Sequence, residues 1–274
     1  MKQWNIQSEE RRRRITAGSS FTSRKEIDSN RLADFLSVVI QPGDRVCLES
    51  NNQRQADVLA RALAEADPRV LQTLHMVQSG VVLPEHLDLF EKGVAKKLDF
   101  SYSGARAARI ARMLFSGKIE LGAIHTYLEL FARYFVDLTP QVALIAAVSA
   151  DLDGNLYTGP NTQDTPTVVE ATSFGNGIVI AQAEEIVDWV PRVDVPSDQV
   201  HFFVNTGKPF YVVPLFTRDP AAITETQILT AMLAISRSTQ QRSTYRVRNI
   251  ESGSGEARPS VRRERLAEAA ERAS

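Results

Sequence analysis

Residues Val142–Val187, VALIAAVSADLDGNLYTGPNTQDTPTVVEATSFGNGIVIAQAEEIV, decide the fold class. The stretch opens on one apolar run, Val142 to Val148, and closes on a second, Gly177 to Ala183. Both are rich in β-branched residues, bounded by turn residues and too short to cross a membrane. They read as buried strands. After the first run, Asp153-Gly154 predicts a tight strand connection, because glycine accepts the positive φ such turns need. Thr158 to Thr167 then reads as a polar, hydroxyl-rich loop. Ligand contacts concentrate on loops held by a rigid scaffold. Thr158, Asn161, Thr162 and Asp164 are therefore candidate binding residues.

Upstream, strands and helices alternate. Leu32, Phe35, Leu36 and Val39 have helical spacing over Ile27 to Ile40, and Pro42-Gly43 stops that helix. Arg45 to Leu48 reads as a strand, followed by the polar loop Glu49 to Gln53 and a helix over Gln55 to Glu65. Asn51 and Asn52 in that loop can donate and accept hydrogen bonds, and they join the candidates. Strands over Val70–Val77, Leu98–Tyr102 and Glu120–Ile124 alternate with helices over Glu85–Val94, Ala105–Ser116 and Tyr127–Val136. This order predicts an α/β fold: one open, mostly parallel sheet with helices on both faces. Ligands of such sheets bind beyond the carboxyl ends of the strands, which adds His125 to the candidates. Downstream, Asp188 to Pro196 reads as an extended excursion. Val200–Val204 and Phe210–Val213 read as strands and Thr224–Ile235 as a helix. Three regions result: a basic leader over 1–25, the α/β body over 26–236, and a tail over 237–274. The tail is rich in Arg, Ser and Glu and too poor in apolar residues to fold alone.

Composition excludes several function classes. The 274 residues carry a formal net charge of −1, so no global field draws nucleic acid or an anionic membrane. Arg11 to Arg14 form a basic run, but few aromatics accompany it to stack bases. A solvated segment lying on a partner or on the body is the simpler reading. The single cysteine, Cys47, rules out an internal disulfide and fits a reducing cytoplasm. The four histidines have no ligand spacing and there is no cysteine pair, so no metal site is expected. No GxGxxG follows the first strand and no GxSxG elbow exists, which disfavours NAD binding and serine hydrolysis.

Five motifs in order carry a resemblance: GDRVCLESNNQRQADVLARAL, PEHLDLFEKGVAKKLDFSYSG, LGAIHTYLELFARYFVDLTPQVALIAA, DLDGNLYTGPNTQDTP with its VVEAT continuation, and PFYVVPLFTRDP. From about Ile27 to Ile235 the chain resembles the first domain of coenzyme A transferases, most of all the malonate decarboxylase α subunit. The resemblance implies a cytoplasmic transferase that loads malonate onto an acyl carrier protein in exchange for acetate (acetyl-S-ACP:malonate ACP transferase). It implies no biotin and no cofactor bound covalently to this chain. The carrier itself holds a phosphopantetheine-type, dephospho-CoA-derived prosthetic group. The implied partners are the carrier subunit and the catalytic subunits that decarboxylate the malonyl carrier, with neither nucleic acid nor membrane. It also implies a glutamate nucleophile in a second domain. Glu129 and Glu170 lie in matching motifs, yet neither is in a recognisable nucleophile motif, so the catalytic residue is unassigned. The pattern ends near Ser236, and a truncated or frame-shifted product is expected there, with a genuine short tail as the alternative. Two other functions stay open: a non-catalytic module that docks a carrier or a subunit, and a sugar-phosphate isomerase of the same broad fold.

Overall fold

The computed structural model describes residues 3–51, 53–160, 163–213, 221 and 223–237. The chain divides into two units, Met1–Val213 and Pro214–Ser274. In the second unit residues 225–237 form one helix, where Ile228, Met232 and Ile235 predict it. The tail beyond residue 237 lies outside the described residues.

The first unit starts with helix α1 (Gln3–Gly18), a short hairpin of β1 (Thr22–Ser23) and β2 (Glu26–Ile27), and α2 (Leu32–Val39). Alternation follows: β3 (Arg45–Leu48), α3 (Asp57–Ala64), β4 (Leu74–Gly80), α4 (Glu85–Glu91), β5 (Ala95–Tyr102), α5 (Ala107–Phe115), β6 (Glu120–Ile124) and α6 (Tyr127–Tyr134). Next come β7 (Val142–Asp151), β8 (Leu156–Tyr157), α7 (Thr165–Phe174), β9 (Ile178–Val187) and β10 (Phe202–Asn205). The strands form one sheet in the order β1-β2-β10-β9-β7-β3-β4-β5-β6, with β8 paired to β7. Among the described strands, only the β1/β2 and β7/β8 pairs run antiparallel. The α/β fold expected from the alternation is the fold observed.

Period-two alternation divides the buried strands between two cores. On one face Val46, Leu48, Met76, Leu98 and Leu144 meet Phe35, Leu59, Leu63, Phe90 and Met113 from the helices. On the other, Cys47, Val77, Ile145 and Ala181 meet Leu130 and Tyr134 of α6 and Val168 and Val169 of α7. Both faces are covered, so the strands read as continuous apolar runs.

Two expectations need correction. The polar loop predicted to end at Thr167 gives way at Thr165 to helix α7. Parallel β7 and β9 pair over their whole length and need a crossover of that kind. The β-branched run Thr165–Thr172 hid the helix, since such residues favour strands. Phe210–Val213 is not a strand; the Tyr211 N–H donates to Asp57 Oδ1 at 3.4 Å instead. The basic leader, for which the sequence reading assigned no secondary structure, is largely helical and lies on the body, one of the two placements expected. Arg14 of α1 pairs with Asp44 at 2.5 Å, and Gly18 lies so close to α2 that a Cβ would sit 2.8 Å from Val39 Cγ2.

Candidate functional site

The loop after β3 and the entry to α7 meet at the carboxyl edge of the sheet. Asn51 is the hinge of this junction. Its Oδ1 accepts from the N–H groups of Gln53 (2.9 Å) and Arg54 (2.8 Å), closing the loop on itself. Its Nδ2 donates to Asp164 Oδ1 at 2.7 Å. Asn51 and Asp164 are both buried. Beneath them lies a fully buried ionic group. Glu49 Oε2 accepts from the Ala146 N–H of β7 at 2.7 Å. Glu49 Oε1 accepts from Arg54 Nη1 at 3.4 Å and from the Thr165 hydroxyl, and Arg54 Nη1 also donates to Thr165 Oγ1 at 2.5 Å. Burial pushes the Glu49 carboxyl up to about 7, with nearby Asp164 adding to the rise and Arg54, Ala146 and Thr165 opposing it.

Several buried polar atoms at the same edge have no partner among the described residues: Gln55 Oε1, both amide atoms of Gln78, Ser79 Oγ and Ser101 Oγ. They lie in the β3 loop and towards the carboxyl ends of β4 and β5. Buried polar groups are nearly always satisfied, so a row of orphans marks a place for a ligand or water.

A second polar cluster lies between β4, β5 and α6. Asp99 accepts from both sides: its Oδ2 is 2.6 Å from His75 Nε2 and its Oδ1 is 2.7 Å from His125 Nε2. His125 Nδ1 lies 3.2 Å from Glu129 Oε1, so both of its ring nitrogens face carboxylates. Burial would raise the Asp99 carboxyl, but the two histidines bring it down to about 2. Gly122 in β6 leaves the space for this carboxylate, which an added Cβ would overlap. Thr126 caps α6 by accepting the Glu129 N–H at 3.2 Å.

The sequence candidates thus separate. Asn51 and Asp164 come together. Thr158 bonds elsewhere, its N–H and Oγ1 each donating to Asp194 Oδ2 at 2.9 Å. The His125 side chain is fully buried and committed to Asp99 and Glu129, so it does not line an open cleft with Asn51. Asn52, Asn161 and Thr162 lie outside the described residues. The turn residues play the structural role read for them, with Asp151 as the missed holder: its Oδ1 accepts from the N–H groups of Asp153 and Asn155, and Gly154 takes φ +91°. Glu49, Arg54, Thr165 and Asp99 were also missed. A carboxylate inside an apolar run, as in LDF, or directly after one, as in CLE, is the signal that could have found two of them.

The family model described as "Malonate decarboxylase, alpha subunit, transporter" matches residues 3–260. The chain belongs to the malonate decarboxylase alpha-subunit family. It is 55% identical over 235 residues to the acetyl-S-ACP:malonate ACP transferase of Malonomonas rubra, covering 85% of this chain and 42% of that protein. A Pseudomonas malonate decarboxylase hetero-tetramer in complex with malonate contains a chain matched at TM-score 0.79 and 50% identity, over 88% of this chain and 44% of that one. The malonate decarboxylase alpha subunit from Acinetobacter baumannii matches at TM-score 0.77 and 44% identity, over 85% and 43%. The chain therefore spans less than half the length of these alpha-subunit relatives. Acyl-CoA and glutaconate coenzyme A transferases resemble it at 16% identity, a likeness of fold alone. In this malonate decarboxylase alpha-subunit chain, the segment CLESNNQRQ builds the Glu49–Asn51–Arg54 network.

Proposed function

We propose that this chain supplies the first half of an acetyl-S-ACP:malonate ACP transferase, which exchanges acetate on an acyl carrier protein for malonate. Family membership gives the reaction class. The observation that supports the location is the Asn51–Asp164 junction beside unpartnered Gln55, Gln78, Ser79 and Ser101 at the carboxyl edge. Amides and hydroxyls there suit the thioester and amide groups of a phosphopantetheine-type arm, or a malonate carboxylate. The partners of this reading are the carrier subunit and the decarboxylating subunits, in the cytoplasm. Neither Glu129, which is paired to His125, nor Glu49, which is sealed in its network, is free to act as the nucleophile.

A second reading is a module that docks the carrier without exchange. One experiment separates the two. Acetyl-loaded carrier protein and labelled malonate are mixed with the chain, and malonyl carrier and carrier binding are both measured. Exchange that Asn51→Ala slows without loss of fold upholds the transferase. Binding without exchange upholds the docking module. Neither exchange nor binding overturns both.

A further inference from the structure

At the opposite, amino end of the sheet lies a pocket of about 560 Å³, walled by α1, the start of β3, the α6–β7 connection and the α7–β9 connection. That volume falls in the range of small-molecule sites. Its polar wall includes three arginines, Arg11, Arg14 and Arg45. Arg11 Nη1 donates to Asn176 Oδ1 at 3.4 Å, which turns the Asn176 amide nitrogen away from that bond. Asn176 Nδ2 is buried and has no partner among the described residues. Arg45 is held by Nη1 donating to the Thr139 carbonyl at 2.8 Å, and its buried Nε is likewise unpartnered. Asn176 takes φ +58° just past the end of α7, the left-handed helix-ending position that asparagine favours. The one acidic residue among the described lining residues, Glu10, is occupied by Arg14 and Gln41. Apolar side chains form the rest of the wall, and Val136 and Phe174 are 79% and 72% exposed.

Unsatisfied donors and a guanidinium beside apolar walls select a ligand with a negative head and an apolar body. We propose that this basal pocket binds a small organic anion, a carboxylate or phosphate monoester on a hydrocarbon or aromatic group, with Arg11, Arg45 and Asn176 holding the anionic oxygens. The bland alternative is that Arg45 serves only the Thr139 carbonyl at the end of α6 and water fills the space. That alternative does not need Arg11, and it predicts no preference for charge. The proposal is independent of the transferase reading, since the pocket and the Asn51–Asp164 junction lie at opposite ends of the strands.

The test is calorimetric titration of the full chain at low salt with benzoate, phenyl phosphate and uncharged benzyl alcohol. The two anions distinguish a carboxylate site from a phosphoryl site. At least one should bind, and the alcohol should bind at least about tenfold more weakly, as expected when a charge-assisted hydrogen bond is lost. Arg11→Gln should weaken the anion about tenfold, whereas Arg12→Gln, the same charge change on an exposed neighbour, should leave it within about twofold. Arg45→Lys, which removes Nε, should act like Arg11→Gln. If that variant fails to fold by circular dichroism, the Arg11 and Arg12 pair still decides. Absence of anion binding, equal binding of the alcohol, or equal losses in the Arg11 and Arg12 variants overturns the proposal.

Discussion

Glu49 is the residue on which the carboxyl edge turns. Its folded value, raised by burial to about 7, lies above that of an unfolded glutamate, so the native state holds the proton more tightly. Its contribution is therefore fully present below about pH 4.5 and is lost as pH rises through about 7, a swing of up to about 3 kcal/mol. Chemical denaturation of the native chain and of Glu49→Gln should show it. The difference in stability between them should move in favour of the variant from pH 5 to pH 8, and a constant difference would exclude the assignment. Asn51→Ala makes a different break. It removes a donor from the buried Asp164 and should cost about 1–3 kcal/mol in urea unfolding. Asn51 and Asp164 were legible in the sequence because amides and carboxylates in strand-end loops stand out against apolar runs. Arg54 was not, since nothing in its neighbours signals that a guanidinium between Gln53 and Gln55 is fully buried.

Among the elements, β6 depends on a residue it lacks a side chain to reveal. Gly122 is ordinary in sequence, yet any Cβ there would overlap the Asp99 carboxylate clamped between His75 and His125. Gly122→Ala should destabilise the chain by about 2 kcal/mol or more, through displacement of the buried Asp99 carboxylate from its hydrogen bonds to His75 and His125, with the urea midpoint as the readout. Asp99→Asn tests the same clamp by pH. A carboxyl lowered to about 2 contributes stability above its unfolded value near 4, and that stability is lost as pH falls towards 2. The gap between native and variant should close over that window; a gap unchanged down to pH 2 would count against the pairing. Helix α3 shows the same limit on reading locally. It is capped by Gln182 of β9, whose Oε1 accepts the Val58 and Leu59 N–H groups at 2.9 and 3.1 Å across more than a hundred residues. No local cap signal exists there. Spacing and turn chemistry found most helices and strands, and failed at α7, where β-branched residues argue for a strand but the connection between parallel strands demands a helix.

For the whole molecule, the parallel sheet was legible because alternation of strand and helix leaves few topologies. Its strand order was not, since β2, β10 and β9 are brought side by side by contacts distant in sequence. One edge of the sheet is β6, with Ile124 63% exposed and Phe115 and Leu128 also exposed nearby in sequence. An unpaired apolar edge is a template for association. Sedimentation velocity should find concentration-dependent self-association, reduced by Ile124→Lys; identical profiles for both proteins would remove the edge as the cause. The central pairing of β3 with β7 has a further consequence, for the nascent chain. Arg45 and Gln141, which join at its start, are 96 residues apart. At about 5–20 residues per second, β3 leaves the ribosome roughly 5–20 s before its inner neighbour exists. During that interval the strands from β3 to β6 can assemble on one another, but β3 offers an open hydrogen-bonding flank to whatever the cell presents. Translation speed between Leu48 and Val142 therefore sets how long a chaperone must guard that flank.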